Sequence, residues 1–224
     1  MKKALIAGAT GLVGKHVVKE LINSQHYDEI HILTRRSSPF HKHPLVQEHL
    51  VSFDELDEVD DVFQHVDDVF VTLGTTMKQA KTQEAFIKVD YTYPVKLAEK
   101  AVKHGVERFL IVTAMGASRN SRFFYNVVKG TLEERLINLE IPSLHIFRPS
   151  LLLGERYKVR TGEKSAELLS KPLSFLMRGR LEKYKPVKGS TVAAVMHEVA
   201  QQNSNGFHIY ESDQMNYLGD ILKA

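Results

Sequence analysis

Strand-like and helix-like patterns alternate along the first 150 residues, and this alternation constrains the fold more than any other feature. Apolar residues recur at helical spacing over 12–22, 84–104 and 122–138. Pro94, inside the second of these stretches, predicts a kink or a new helix start near Tyr91. Strands alternating with helices form βαβ units, so we predict an α/β fold with a Rossmann-like, doubly wound parallel sheet. Short apolar runs predict its strands at 3–7, 29–34, 68–73, 108–113 and 143–147.

The pattern changes after Pro149. Helix-like stretches at 166–176 and 192–201 precede a strand-like stretch at 207–210, and no Gly/Ser linker separates them from the rest. The chain has 224 residues, and at ~150 residues per domain this length corresponds to between one and two domains. We expect a single domain over 1–224, with 150–224 as a small C-terminal elaboration that contributes the substrate-side elements.

Composition excludes several classes of function. The chain contains no cysteine, which rules out disulfides, thiolate catalysis, iron–sulfur clusters and cysteine-based zinc sites. The net charge of +3 does not by itself indicate a nucleic-acid-binding protein. No stretch approaches ~18 consecutive apolar residues, and the apolar run near the N-terminus ends at Gly8, too early for a signal peptide. We therefore expect a cytoplasmic protein with neither nucleic-acid nor membrane partners.

Two groups of residues could suggest a metal site. The acidic stretch 54–61 has apolar residues at helical spacing, which favours a solvated helix whose first acids face the positive end of its dipole. His41 and His43 are flanked by Pro39 and Pro44, which favours an exposed loop. No further ligand is identifiable for either group, so we predict no metal site.

A glycine-rich segment lies directly between the first strand and the first helix. In dinucleotide-binding folds the first glycine of such a loop permits the turn, the second lets a pyrophosphate approach the backbone, and the third lets helix and strand pack closely. The N-terminus of the following helix offers unpaired N–H groups to the phosphates. The alternative is a glycine-rich turn that binds no ligand. The residues of this segment are Gly8, Ala9, Thr10, Gly11, Leu12, Val13 and Gly14.

Arg35 and Arg36 follow the second strand. NAD-binding folds usually place an acidic residue at about this position, where it hydrogen-bonds the ribose 2′-OH. A guanidinium group instead pairs with phosphate in two parallel hydrogen bonds. The two arginines therefore predict a 2′-phosphate and hence NADP(H) as cofactor, although two surface arginines at a strand end would look the same.

Tyr125 and Lys129 are the main catalytic candidates, because residues at i and i+4 share one helix face. A free phenol has a pKa of about 10. One ammonium at ~4 Å supplies about 4 kcal/mol at an effective dielectric constant near 20, enough to lower that pKa by about three units. The spacing alone is not specific, since Tyr184 and Lys188 repeat it with Pro186 between them, where a regular helix is not expected.

Four blocks together resemble a known family. They are 8–14, 73–76, 125–129 and 147–154, in that order along the chain. The sequence resembles the atypical short-chain dehydrogenases/reductases, more narrowly the Tat-interacting-protein-like oxidoreductases, which are related to epimerases and dehydratases. The resemblance implies a Rossmann fold, NADP(H) binding and a Tyr125/Lys129 catalytic pair. It also implies that Leu73, Gly74 and Thr75 line the cofactor, that Lys129 orients its ribose, and that Arg148, Pro149 and the segment after them approach the nicotinamide.

The sequence departs from this family at two places. The usual serine at the end of the strand 108–113 is replaced by Thr113, whose hydroxyl could steady the substrate oxygen, with Ser118 as a second candidate. The aspartate that often faces the adenine is replaced by Ser52, with Asp54 as the residue that could take over.

These features favour an NADP(H)-dependent oxidoreductase that acts on a small carbonyl or alcohol. Two alternatives remain: a non-catalytic NADP(H)-binding regulator or partner-binding protein, and an epimerase or dehydratase. Arg156, Arg160 and Glu163 either face a polar substrate or are surface charges. We expect a small-molecule substrate, and the sequence leaves a homo-oligomer open.

Overall fold

The computed structural model describes residues 2–154 and 179–223. The strands found there are β1 (Lys2–Ala7), β2 (Tyr27–Thr34), β3 (Val46–Leu50), β4 (Asp68–Val71), β5 (Arg108–Val112), β6 (Ser143–Arg148), β7 (Leu152–Leu153), β8 (Val187–Lys188) and β9 (Gly206–Glu211). The α-helices are α1 (Gly14–Asn23), α2 (Met77–Ala80), α3 (Gln83–Ile87), α4 (Tyr93–Lys103), α5 (Phe124–Ile137), α6 (Gly189–Val199) and α7 (Ser212–Ile221). Two 3₁₀ helices, Leu56–Phe63 and Gly179–Tyr184, and a π-helical segment, Lys88–Thr92, complete these ranges.

Seven strands form one parallel sheet in the order β3-β2-β1-β4-β5-β6-β9. The chain runs outward from β1 to β3 on one side and from β4 to β9 on the other. The order therefore reverses between β1 and β4, and ligands of open α/β sheets bind at the carboxyl ends of the strands at such a point. This arrangement confirms the predicted Rossmann-like, doubly wound α/β fold.

The sheet is buried on both faces. Ile6 of β1 faces the apolar layer that contains α1 and α6. Its neighbour Leu5 faces the layer that contains α4 and α5. Successive strand residues point to opposite faces, and a parallel sheet covered by helices on both sides needs apolar residues at both sets of positions. The continuous apolar runs in the sequence follow from this burial.

The predicted interruption of the helix at 84–104 is confirmed. The structure has α3, then the π-helical segment Lys88–Thr92, then α4. Pro94 lies in the first turn of α4, directly after the π-helical segment. The break places Asp90, which lies in the π-helical segment, inside the protein with 1% of its surface exposed.

The acidic stretch 54–61 differs from the expected regular helix. It forms the 3₁₀ helix Leu56–Phe63, which is broken at Val59. Its carboxylates pair with lysines of α4: Lys100 lies 2.7 Å from Asp57 and 2.8 Å from Asp60. The acids are therefore balanced by a basic helix face and not only by solvent.

The C-terminal part joins the sheet, as expected. Strand β9 pairs with β6, and α6 packs on α1. A Cβ atom on Gly189 would lie 3.0 Å from the carbonyl oxygen of Leu12, so α6 also packs against the glycine loop. Helix α7 was not predicted. The helix-like stretch at 166–176, and Arg156, Arg160 and Glu163, lie outside the described residues.

Candidate cofactor and active site

The glycine loop lies at the carboxyl end of β1, between the two halves of the sheet. Gly8 has φ +100°, and a Cβ there would lie 2.6 Å from the Thr72 hydroxyl. A Cβ on Gly14 would overlap the carbonyl oxygen of Gly8. Both positions therefore require glycine, the first for the turn and the second for close packing of helix on strand.

Gly11 is different because the space around it is more open. A Cβ there would have Gly8 O at 3.2 Å and Thr72 O at 3.8 Å as its only neighbours within 4 Å among the residues described. Helix α1 begins without a side-chain cap. In the part of the chain that the structure describes, the N–H groups of Leu12, Val13 and Gly14 donate no hydrogen bond. Unpaired N–H groups at a helix N-terminus form an anion site, so the loop fits a pyrophosphate.

Arg35 and Arg36 are exposed just after β2. The Thr34 hydroxyl donates to the Arg36 carbonyl at 2.8 Å and holds this turn. Over residues 2–154 and 179–223, neither guanidinium forms an ion pair or hydrogen bond. Both remain free to contact a phosphate.

Asp54 was the residue expected to replace an acid at the adenine. Its carboxylate lies 2.8 Å from the ammonium of Lys88 and accepts a hydrogen bond from the Tyr93 hydroxyl at 3.1 Å. The hydrogen bond from Lys88 is the main reason that the pKa of Asp54 is below its usual value. The carboxylate therefore already has two partners, and the adenine contact stays a prediction.

The segment after β4, which contains Leu73, Gly74 and Thr75, is fixed to the π-helical segment. The Thr75 N–H donates to one carboxylate oxygen of Asp90 at 2.8 Å. The other oxygen of Asp90 lies 2.7 Å from the ammonium of Lys129. The two side chains are almost fully buried, at 1% and 3% exposure. One carboxylate thus joins the expected cofactor-lining loop to the expected catalytic helix.

Sequence reasoning missed Asp90. A signal was present: Phe86 and Pro94, four residues before and after it, are apolar, so the carboxylate lies on an otherwise apolar helix face. A carboxylate on a buried face requires a partner, and its partner here is Lys129.

Tyr125 lies in the first turn of α5 and is 37% exposed, with its ring 5.6 Å from the ring of Phe86. Burial, and secondly the charge of Asp90, raise the pKa of the phenol to about 12. The expectation that Lys129 lowers this pKa stays a prediction. In this structure the Lys129 ammonium lies 2.7 Å from the carboxylate of Asp90.

Thr113 does not have the position expected of a substrate-binding hydroxyl. It is 5% exposed, and its hydroxyl donates to the buried carboxylate of Glu133 at 2.6 Å. Glu133 also binds Arg148, whose Nε lies 3.1 Å from both carboxylate oxygens. The predicted role of Thr113 is corrected on this ground. The guanidinium of Arg148 likewise pairs with Glu133, and its approach to the nicotinamide stays a prediction.

The remaining candidates lie in different surroundings. Ser118 is exposed, and its backbone packs against Gly130 of α5. The Pro149 carbonyl accepts a hydrogen bond from the Met115 N–H at 3.0 Å.

Tyr184 ends a 3₁₀ helix while Lys188 lies in β8. That second tyrosine–lysine pair therefore shares no helix, which confirms that no regular helix forms there.

No metal centre is found among the residues described: no group of three or more His, Asp or Glu side chains in 2–154 or 179–223 is placed to hold a metal ion. His41 lies in a loop, with its Nδ1 2.8 Å from the Ser38 carbonyl. Of the helices that the structure describes, none has the length and apolarity to cross a membrane.

Comparisons with known proteins show the family to which the chain is related. A family model described as NAD(P)H-binding matches residues 8–139. The chain is 30% identical over 220 residues to protein HTATIP2 of Rattus norvegicus, covering 97% of this chain and 89% of the relative. It is 35% identical over 199 residues to the protein "FMP52, mitochondrial" of Eremothecium gossypii, covering 86% of this chain and 85% of the relative.

Solved structures share the fold. The enzyme WbmH of Bordetella bronchiseptica, in complex with NAD⁺, superposes with a TM-score of 0.72 at 17% identity, over 98% of this chain and 80% of that one. UDP-glucose 4-epimerase of Thermotoga maritima superposes with a TM-score of 0.71 at 17% identity, over 99% of this chain and 81% of that one. At this identity the likeness concerns the fold alone.

Proposed function

The chain belongs to the NAD(P)H-binding family and is a homologue of the HTATIP2 and FMP52 proteins, and on this basis we propose that it is an NADP(H)-dependent oxidoreductase acting on a small carbonyl or alcohol. One observation carries the proposal. Tyr125 and the buried Lys129 lie on a helix joined through Asp90 to the loop after β4, beside the glycine loop.

The residues that would hold the cofactor follow from the geometry above. The N–H groups around Gly11 suit the pyrophosphate. Arg35 and Arg36, exposed and without partners among the described residues, suit a 2′-phosphate, which favours NADP(H) over NAD(H). Leu73, Gly74 and Thr75 would line the cofactor. When bound, the cofactor exchanges a hydride with the carbon that bears the substrate oxygen.

The chain's own residues handle the proton. In the Tyr125/Lys129 pair, the hydroxyl of Tyr125 is assigned the proton transfer. It donates a proton to the substrate oxygen or accepts one from it. Lys129 lies one helical turn further on and is assigned to the ribose. The roles of both stay proposals, as does a small-molecule substrate.

A second function is a regulator that binds NADP(H) without turnover. The observation that favours it is the position of Thr113, whose hydroxyl is taken up by Glu133. The epimerase or dehydratase alternative draws on the solved structures, whose likeness concerns the fold alone. In such an enzyme the cofactor would not be consumed.

The test is a screen of small carbonyl compounds for NADPH oxidation, followed by Tyr125→Phe. We expect that variant to lose about 10²–10⁴-fold in turnover, the usual contribution of a positioned acid/base, with NADPH affinity unchanged. Tyr184→Phe, the matched control, should keep the wild-type rate. A broad screen without turnover, or full rate in Tyr125→Phe, would favour the regulator.

The expected cytoplasmic location also stays a proposal. FMP52 relatives carry the word mitochondrial in their names. Fractionation of cells that express the full-length protein distinguishes the two locations.

A further inference from the structure

Glu133 joins three elements of the fold. It lies in α5 and is 3% exposed, and its carboxylate binds side chains at the ends of two strands. The hydroxyl of Thr113, directly after β5, donates to one oxygen at 2.6 Å. Arg148, the last residue of β6, has its Nε 3.1 Å from both oxygens, and its Nη2 donates to the second oxygen. A carboxylate can accept all of these hydrogen bonds because it has two acceptor oxygens and no donor.

The same helix face carries the candidate catalytic residues. Lys129 lies four residues before Glu133, and Tyr125 lies four residues before Lys129. Residues at this spacing lie on neighbouring turns of one helix face. The ammonium of Lys129 lies 2.7 Å from the carboxylate of Asp90. Lys129 therefore ties this face to the π-helical segment, and Glu133 ties it to the ends of β5 and β6.

A second contact holds α5 against the loop after β5. A Cβ on Gly130, three residues before Glu133, would overlap the backbone of Ser118. The Ser118 N–H also donates to the Asn126 carbonyl of α5 at 3.0 Å. Since a closely packed interior transmits displacements, a shift of α5 at Glu133 would move the rest of the helix relative to the sheet.

The strand ends that Glu133 joins belong to the second half of the sheet. In Rossmann folds the dinucleotide lies across the carboxyl ends of the strands, one mononucleotide on each half of the sheet. The first half contains β1, β2 and β3, with the glycine loop and Arg35, so the nicotinamide half is assigned to β4, β5 and β6. The Pro149 carbonyl, directly after β6, accepts from the Met115 N–H at 3.0 Å. The ends of β5 and β6 are thus bound to each other by backbone and to α5 by Glu133.

We propose that Glu133 is a positioning residue for the nicotinamide half of the cofactor, because by binding the ends of β5 and β6 it sets their distance from the helix face of Tyr125 and Lys129. This inference rests on the proposed function and adds a residue that acts through the elements it joins. Binding to a site that already has its bound arrangement costs less free energy than binding to a site that must first be ordered. Loosening this tie therefore weakens binding of the nicotinamide half and leaves binding of the adenosine half unchanged.

Two ligands separate the halves of the cofactor site. NADPH carries both halves, whereas 2′,5′-ADP carries only the adenosine half with its 2′-phosphate. Calorimetry measures the affinity for each ligand in the wild type, in Glu133→Gln and in Glu134→Gln. Glu134→Gln is the matched control, because Glu134 is the next residue of α5 and also binds an arginine, but at the surface. Nη1 of Arg119 lies 2.7 and 2.9 Å from its two carboxylate oxygens.

We expect Glu133→Gln to weaken NADPH binding at least about tenfold and 2′,5′-ADP binding by no more than about twofold. The amide keeps the size of the side chain but removes the charge that pairs with Arg148. Glu134→Gln should change neither affinity. A folded Glu133→Gln variant with wild-type affinity for NADPH overturns the proposal. So does an equal loss of affinity for the two ligands, because it would show a general loosening of the fold.

Thr113→Val provides the test if Glu133→Gln does not fold. Valine keeps the branched shape of threonine and the pair of Glu133 with Arg148, and it removes only the hydroxyl that donates to Glu133. We expect at least about a threefold loss of NADPH affinity, the contribution of one modest hydrogen bond, with 2′,5′-ADP affinity unchanged. An NADPH affinity equal to that of the wild type overturns the proposal in this case.

Failure of the proposed function gives a different result. A wild type that binds NADPH but turns over no carbonyl compound is not the proposed oxidoreductase, while the comparison of the two affinities still decides the role of Glu133. A wild type that binds neither ligand overturns both proposals.

Discussion

Single residues around this site differ in whether their charges are already paired. Arg135, on α5, is matched by Glu99 at 2.7 Å. Arg35 and Arg36 have no such partner among the described residues and lie at the end of β2. Free guanidinium groups at that position are what a 2′-phosphate requires.

Cofactor choice follows from these arginines. Calorimetry should show NADPH binding at least about tenfold tighter than NADH, a difference of ~1.4 kcal/mol. Arg35→Ala or Arg36→Ala should narrow this difference by weakening NADPH alone, whereas Arg135→Ala should leave it unchanged. Equal wild-type affinity for the two cofactors would refute the assignment.

The buried pair of Asp90 and Lys129 makes a prediction about stability. Lys129→Met leaves a buried carboxylate without its cation, which should cost about 3–5 kcal/mol in the free energy of unfolding. Adding Asp90→Asn should recover part of that loss, because the uncompensated charge is then removed. Urea denaturation measures all three proteins.

The control for that series is an exposed pair. Arg135→Ala breaks an ion pair whose side chains are each 45% exposed, so it should cost no more than about 1 kcal/mol. The buried ion pair does not stabilise the protein as predicted if Lys129→Met lowers the free energy of unfolding by no more than Arg135→Ala does. The same holds if adding Asp90→Asn to Lys129→Met lowers that free energy further.

At the scale of elements, the glycines in the turn from β1 into α1 have different roles. Gly14→Ala places a Cβ against the carbonyl of Gly8, and such overpacking should cost about 1–3 kcal/mol or more in the free energy of unfolding.

Gly11→Val places its side chain mainly in open space, so unfolding should stay cooperative while NADPH binding falls at least about a hundredfold, or ~2.7 kcal/mol. Denaturation and calorimetry on both variants check this. Normal NADPH binding by Gly11→Val would show that the loop does not hold the phosphates.

Elements were predictable from the sequence where a single local pattern decides them. The apolar runs predicted six strands with every end within two residues, as at Arg108–Val112, and Pro94 predicted the interruption of the helix. Helix α7 (Ser212–Ile221) was missed because its core contacts reduce mainly to Met215 and two small residues, Ser212 and Gly219. A helix that buries so narrow a face leaves little periodicity to detect.

Over the whole molecule, the site is assembled from segments far apart in the chain, and this limited what the sequence could predict. The glycine loop and the Tyr125/Lys129 spacing are local and were found. The partners of Lys129 and Thr113 are 39 and 20 residues away, at Asp90 and Glu133, and depend on how the helices pack. The candidate residues were therefore predictable from the sequence, whereas the pairing of Lys129 with Asp90 and the burial of Thr113 were not.

The proposed function depends on one chemical step, the transfer of a hydride from NADPH to a carbonyl carbon. The most direct measurement uses NADPH deuterated at the transferable position of the nicotinamide, with a carbonyl compound found in the screen. We predict one deuterium on the carbinol carbon of the released alcohol for each NADP⁺ formed, and no label transfer by Tyr125→Phe above about 1% of the wild-type rate. Turnover without consumption of NADPH would indicate an epimerase, and label-free product or tight NADPH binding with no product would contradict the claim.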